Sequence, residues 1–361
     1  MESLIEVAEF VQLRRLRILR LQPSEGGVEG DEVRAGGWGG GLRVVQVDAL
    51  PAPAVFLLGF RWWTRTSLAR PLCREHRAVA WLPCAGMACV TLMDVQLNLL
   101  AAGFILITLA AVALSRWNMA ALAVSLACCL KAYPVALAPV IAVVYPRRFA
   151  PRWLAAMALC LALPFLFQQP AYVVRQYGEW ARWGLNQRRS LDLDRGFQDA
   201  MMVCRRWLAP MSRQTYVGLE VGAGAVVALL RLRRRRRQAP PEELLHCMAG
   251  LCCGWMRVFG PATEAQTYVQ LAPAAAVVTV LAWARPRPAW FRTLVTASCV
   301  LLTLSQLQLL LPVNRPLQHL SVQPIAALLL MAACGVGAGR AGRQGVAASQ
   351  PSRDQPQFRT A

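Results

Sequence analysis

Apolar runs that recur along the chain, each closed off by arginine, limit this sequence more than any other feature. They lie near 78–93, 98–115, 118–130, 132–145, 153–168, 216–232, 243–258, 268–283, 291–311 and 320–338. A helix crosses the hydrocarbon of a bilayer with about 17–25 mostly apolar residues, and most of these runs approach that length. In all, 56% of the 361 residues are hydrophobic and 16% are charged, with a mean hydropathy of +0.39. A soluble chain has about 45–50% apolar and about 25% charged residues, and one soluble core of this size could not hide the difference. The excess must face lipid. Extensive disorder and an ordinary cytosolic enzyme are both excluded on the same grounds.

The net charge of +20 would point to nucleic acid if it formed a patch. Instead the basic residues fall between the apolar runs, as in the positive-inside pattern of a many-pass membrane protein, so no nucleic-acid partner is expected. Arg70 to Arg77, Arg147, Arg148 and Arg152, Arg231 to Arg237, Arg285 to Arg292, and Arg340 with Arg343 alternate with spans. The two short runs flanking Lys131 form either one kinked span or a tight hairpin, since Pro134 interrupts a helix at the residue before it. The hairpin count puts every arginine block, and Arg116, on one face, which is then the cytoplasmic one. Ten membrane segments follow from it; nine is the alternative. The opposite face receives Asp94 to Asn98, the Lys131–Pro134 neighbourhood, a long loop over 169–215, a short loop over 260–267, and 312–319.

The ends do not share this pattern. Residues 1–77 contain Arg14, Arg15, Arg17, Arg20, a Gly-rich run at 36–41 and a short apolar run at 52–63, too short to span. They read as a poorly structured cytosolic lead-in or the product of a wrong start site. Residues 339–361 read as a disordered cytosolic tail. Most cysteines sit inside apolar runs as small hydrophobes, and none is paired with histidines at zinc-site spacing. The pattern therefore argues against a His/Cys metal site, and no cofactor is expected.

Three clusters can carry chemistry. Of the 39 basic residues one is a lysine, Lys131, placed between two apolar runs. Ionisable groups at membrane depth are functional hypotheses by default, and a compact ammonium suits a phosphate oxygen; the competing reading is a lysine that snorkels to the surface. The second cluster runs from Phe259 to Tyr268, with Gly260-Pro261 making the turn and Glu264 supplying a carboxylate. Thr263 or Glu264 either serves a site or caps the following helix. The third is Asp94-Val95-Gln96-Leu97-Asn98, whose amides suit sugar hydroxyls, while Asp94 either joins them or caps the helix. Asp192 and Asp194 form a D-x-D in the 169–215 loop, a pattern common by chance.

Gln96-Leu97-Asn98 opening a span, Leu130-Lys131-Ala132-Tyr133-Pro134 followed by Tyr145-Pro146-Arg147-Arg148, and Gly260-Pro261-Ala262-Thr263-Glu264 with Tyr268 and Pro273 occur here in that order. In this the chain resembles glycosyltransferase family 87, many-span enzymes of the GT-C class that include polyprenyl-phosphate-mannose-dependent mannosyltransferases. The resemblance covers about 78–338. It implies an all-α, polytopic transmembrane helical bundle of about nine or ten segments, multi-pass in the plasma (inner) membrane with both termini cytoplasmic. It also implies transfer of a hexose from a polyprenyl-phosphate sugar donor to a hydroxyl of a lipid or glycan acceptor, with inversion. Lys131 would then meet the donor phosphate, with Tyr133 positioning it. Glu264 or Asp94 would act as the acid–base group, and Gln96, Asn98, Thr263 and Tyr268 would line the sugar site. The family's catalytic aspartate usually lies in a first outer loop after an N-terminal span, which residues 1–77 do not supply, so either the chain lacks its natural beginning or another acid, Asp94 or Glu264, substitutes. A transporter or lipid flippase, or an inactive scaffold, is the alternative; a transporter predicts internal pseudo-symmetry, and the halves show no clear repeat.

Overall fold

The computed structural model describes residues 51–66, 77–93, 97–131, 133–186, 197–236, 241–260, 263–283, 286–310 and 316–348. Among these residues every regular element is helical. In order they are α1 (Pro51–Trp63), α2 (Arg77–Met93), α3 (Leu97–Ala113) and α4 (Trp117–Leu130). A 3-10 turn (Tyr133–Ala136) then leads into α5 (Leu137–Val144), and α6 (Pro146–Ala162) is prolonged by a second 3-10 turn (Leu163–Leu166). Next come α7 (Pro170–Asn186), α8 (Ala200–Trp207), α9 (Arg213–Arg236) and α10 (Pro241–Val258). A 3-10 stretch (Ala265–Leu271) runs into α11 (Ala272–Trp283), followed by α12 (Ala289–Leu307), α13 (Pro316–His319) and α14 (Val322–Ala348).

The helix α3 is largely enclosed because it has no polar face to turn outward. Its sequence is apolar on every side, and most of its residues are buried, as expected for a helix surrounded by others. It packs against α1, α4 and the Ala265–Leu271 stretch. The contact with α1 is a backbone-to-backbone approach: a Cβ at Gly103 would lie 2.8 Å from the Phe56 nitrogen, and one at Gly59 would lie 2.6 Å from the Gly103 carbonyl oxygen. Small residues permit such close spacing between apolar helices.

The contacts also fix which way each helix runs. Arg116, just past α3, lies over the Trp62 ring of α1 at 5.9 Å, so α1 and α3 are parallel. Trp81 near the start of α2 lies 3.9 Å from Phe60, so α2 runs the other way. The helix α4 leaves from Arg116 and ends at Lys131, and the chain then returns through α5, bringing Tyr145 to 4.8 Å from Trp117. The Arg152 Nε donates to Asn118 Oδ1 at 2.9 Å across the same end. In the second half, Tyr216 of α9 donates to the Phe259 carbonyl and Trp255 of α10 to the Glu220 carbonyl, an antiparallel pair. Thr91 at the end of α2 donates to the Gln266 carbonyl, and Cys84 further back lies against Ala272, so α11 runs back along α2. Arg292 at the start of α12 donates to the Ala282 carbonyl at the end of α11. The outcome is a molecule with two unlike ends. Arg61, Arg116, Arg147, Arg148, Arg152, the arginine-rich close of α9, Arg287 and Arg292 share one end. Lys131, the Ala265–Leu271 stretch and the start of α14 share the other.

Three segments are long and apolar enough to cross a membrane: Pro146–Leu166, Ala265–Trp283 and Ala289–Leu307; the remaining apolar helices among the described residues are shorter. Two expectations change. The lead-in over 1–77 is not loose throughout, because Pro51–Trp63 forms α1 and buries Phe56, Phe60 and Trp63. The expected loop over 169–215 is mostly α7 and α8. In addition α14 continues to Ala348, past the expected start of the tail at 339. Residues 1–50 and 349–361 lie outside the described residues.

Candidate functional site

The end of the molecule without the arginine blocks is organised around backbone that is not α-helical. After α10 closes with Gly260 N–H bonded to the Met256 carbonyl, the chain turns and enters seven residues of 3-10 helix from Ala265 to Leu271. Six of those seven are buried. Tight i→i+3 helices are poor beyond a few residues, and backbone groups removed from water need partners. Here side chains from distant parts of the sequence supply them.

Gln306 of α12 and Gln323 of α14 both donate their side-chain amides to the Ala265 carbonyl, the second at 3.2 Å. Thr91 of α2 donates to the Gln266 carbonyl at 3.1 Å. The Thr267 hydroxyl closes on the Glu264 carbonyl at 2.6 Å. Opposite them the segment 197–199 comes in: Gln198 N–H donates to the Thr263 carbonyl at 2.7 Å, and the Tyr268 hydroxyl donates to the Gln198 carbonyl at 2.7 Å. The Gln198 amide in turn reaches the Gln318 carbonyl at 3.0 Å, while Asp199 caps α8 by accepting from Met202 N–H at 3.2 Å.

A fully buried arginine lies in this setting. Arg257, in the last turn of α10, is 0% exposed, and its Nη2 donates to Gln270 Oε1 at 2.8 Å. Arg257 and Asp199 both lie within electrostatic reach of Tyr268. Four further side-chain atoms in this region, Gln198 Oε1, Gln270 Nε2, Ser305 Oγ and Gln306 Oε1, are buried with no partner among the described residues. Leaving a buried donor or acceptor unmade costs about 1–3 kcal/mol. Polar capacity is therefore concentrated here beyond what holding the turn consumes, and both donors and acceptors are in surplus.

The candidate residues from the sequence divide in three. Thr263 and Tyr268 converge, both bonded to Gln198, and both are fully buried. Glu264 is exposed and occupies the position just before the 3-10 stretch, so its carboxylate faces outward from this end. Asn98 is 0% exposed on α3, which packs against the same stretch. Lys131 ends α4 with its N–H bonded to the Ala127 carbonyl. Its half-buried ammonium makes no ion pair or hydrogen bond with a described residue. The turn that follows it, Tyr133–Ala136, packs on α10, as does Ala265–Leu271, so both clusters border that helix. Asp94, Gln96, Asp192, Asp194 and the side chain of Tyr133 lie outside the described residues.

Arg257, Gln270 and Gln198 escaped the sequence reading. The signal for Arg257 was present: it lies within the apolar run 243–258 rather than between runs, the same property that singled out Lys131. Gln198 had no comparable signal, since only the fold brings it against Thr263 and Tyr268. Among the described residues no group of three or more His, Cys, Asp or Glu side chains could hold a metal ion. Comparison with family models, with curated proteins and with solved structures finds no match.

Proposed function

We propose that this chain is a many-pass integral-membrane glycosyltransferase of the plasma membrane, which moves a hexose from a polyprenyl-phosphate sugar to an acceptor hydroxyl. The observation that carries the reading is the division of the molecule into two ends. One end collects most of the arginines, as a cytoplasmic face does, Arg205 and Arg206 of α8 lying at the other; that other end also holds a buried, hydrogen-bonded polar turn and the single lysine. A lipid-linked sugar presents its phosphate and sugar at headgroup depth while its tail stays in hydrocarbon, and the polar end lies where such a head would be met. On this reading all the apolar helices, short ones included, lie in the bilayer, and both termini are cytoplasmic.

In the reaction the acceptor oxygen forms a bond to the anomeric carbon as the bond from that carbon to the phosphate oxygen breaks. The acceptor proton goes to a carboxylate within hydrogen-bond reach, Glu264 or Asp94. The polyprenyl phosphate leaves with the electron pair, its added charge stabilised by a nearby cation, the role proposed for Lys131. The buried amides and hydroxyls about Tyr268 offer both donors and acceptors, as a sugar requires. The resemblance to glycosyltransferase family 87 supports mannose as the hexose.

The test is transfer itself. Membranes carrying the chain, supplied with radiolabelled polyprenyl-phosphate mannose, should pass label to a lipid or glycan acceptor above the level of membranes lacking it. Lys131→Ala should reduce that transfer by about tenfold or more. Absence of transfer from every polyprenyl-phosphate hexose offered would overturn the enzyme reading, and equal transfer by Lys131→Ala would remove the lysine from the site.

A further inference from the structure

We propose that Cys129 of α4 and Cys160 of α6 form a redox-active pair that becomes an inter-helix disulfide by exchange with a disulfide donor. The two thiols lie within hydrogen-bonding reach of each other, on helices that pack together. Those helices run the same way and are already joined toward the arginine end, where Arg152 Nε donates to Asn118 Oδ1. Cys129 lies eleven residues beyond Asn118 and Cys160 eight beyond Arg152. At about 1.5 Å per residue the thiols therefore meet about 12–16 Å further along the same seam.

A disulfide needs its sulfurs at about 2.05 Å, closer than a hydrogen bond, so one side chain must close in. Both cysteines are placed to do so. Cys129 stands in the last turn of α4, which ends at Leu130 with Lys131 in extended backbone. Cys160 stands three residues before the 3-10 turn Leu163–Leu166, and helix ends yield more readily than helix middles. Access separates this pair from another. Cys84 and Cys299 are also within electrostatic reach of each other, but both are buried. Cys129 is exposed and Cys160 half-buried, so a donor can meet the first sulfur and leave the second to close the bond. Cys128 is near both as well, but its side chain leaves the helix about 100° away from that of Cys129.

In the exchange Cys129 gives up its proton, and its sulfur attacks the donor disulfide, displacing one donor sulfur as a thiolate that takes up a proton. Cys160 then attacks the Cys129 sulfur of the mixed disulfide, and the second donor sulfur leaves and is protonated in turn. Each cysteine loses one electron, and the donor disulfide is reduced to two thiols. The product ties α6, of which only Phe149 is enclosed, to α4 two residues before Lys131. In the orientation proposed above this end faces the extracytoplasmic side, where disulfides persist. That placement rests on the orientation, whereas the exchange chemistry does not.

The full chain in detergent, reduced and then equilibrated with glutathione disulfide, should lose both thiols without gaining glutathione at either position. Peptide mass spectrometry should recover the Cys129 and Cys160 peptides linked, and Cys128→Ser should behave as the parent. In Cys129→Ser and in Cys160→Ser the remaining cysteine of the pair should carry glutathione or stay free. Glutathione adducts or free thiols at both positions, in a parent whose melting temperature shows it folded, would overturn the pair. A link from Cys128 to Cys160 in its place would overturn it too. Capping thiols with N-ethylmaleimide in intact cells before lysis separates the chemistry from the orientation. A linked pair there supports both; free thiols there, in a chain that links in detergent, would overturn the placement on the oxidising side.

Discussion

Two of the long apolar segments differ almost completely in where they sit. Ala265–Trp283 is 78% buried within the protein, whereas Pro146–Leu166 is 6% buried. Along α6 only Phe149 is enclosed, and Leu159 and Leu166 are 64% and 77% exposed. Of the two, the outer segment is the more apolar. Apolar content therefore tells which helices tolerate lipid and says little about which ones form the centre. What distinguishes the inner segment is its first third, where Thr267, Tyr268 and Gln270 are buried and backbone carbonyls are held by side chains from other helices. Polar residues are affordable there because partners are built in. On the outer helix the side chains meet few neighbours, and the outside help its carbonyls receive among the described residues is one bond, from the Tyr177 hydroxyl to the Leu161 carbonyl.

The largest effect should come from truncating the inner segment. Tyr268→Ala removes a fully buried ring and its bond to Gln198, and should destabilise by about 3–5 kcal/mol, whereas Phe167→Ala, at the end of the outer segment, should stay within about 0.5 kcal/mol. Thermal unfolding in one detergent checks the pair, and equal losses would erase the contrast. Next, Leu159→Arg puts a charge on the exposed face of α6. If lipid surrounds that face, insertion should cost about 2.5–3.5 kcal/mol, visible as a fall in the membrane-integrated fraction. Full integration would mean that water, and not lipid, bathes the helix.

Gly103→Val should cost about 1–3 kcal/mol, because the added carbons run into the backbone of α1 at Phe56. Gly218→Ala, on the open side of α9 where a Cβ meets nothing within 4 Å, should be neutral or slightly stabilising. Gln323→Leu takes away one of two donors on the Ala265 carbonyl and should cost about 1 kcal/mol. Removing Gln306 as well should cost more than the sum of the single losses, since the carbonyl then has neither donor.

Much of the helical layout was legible in advance because arginines and prolines mark where apolar runs stop. The expected runs 118–130 and 243–258 correspond to α4 and α10 within two residues. Two elements were not legible, for different reasons. The helix α1 is short, and it depends on Gly59 and Gly103 meeting across a large separation, which no local pattern announces. The helix α7 carries Arg175, Gln176 and Glu179 with apolar residues between them, and its polar face reads as loop unless its period is followed. Part of the candidate site was legible. Thr263 and Tyr268 fall in the polar turn as expected. Arg257 was passed over because arginines elsewhere mark one end of the molecule, so one more drew no notice inside a run.

The doubly bonded carbonyl of Ala265 also constrains how a long-tailed lipid could reach the interior. Two helices, α12 and α14, each send a glutamine to that single oxygen, so a lateral gate that parted them would have to break at least one of the links. Opening the seam between them therefore carries a cost. A passage that avoids that cost lies elsewhere, and α6 and α9, each carrying many exposed apolar side chains, are the helices with the least to lose by moving.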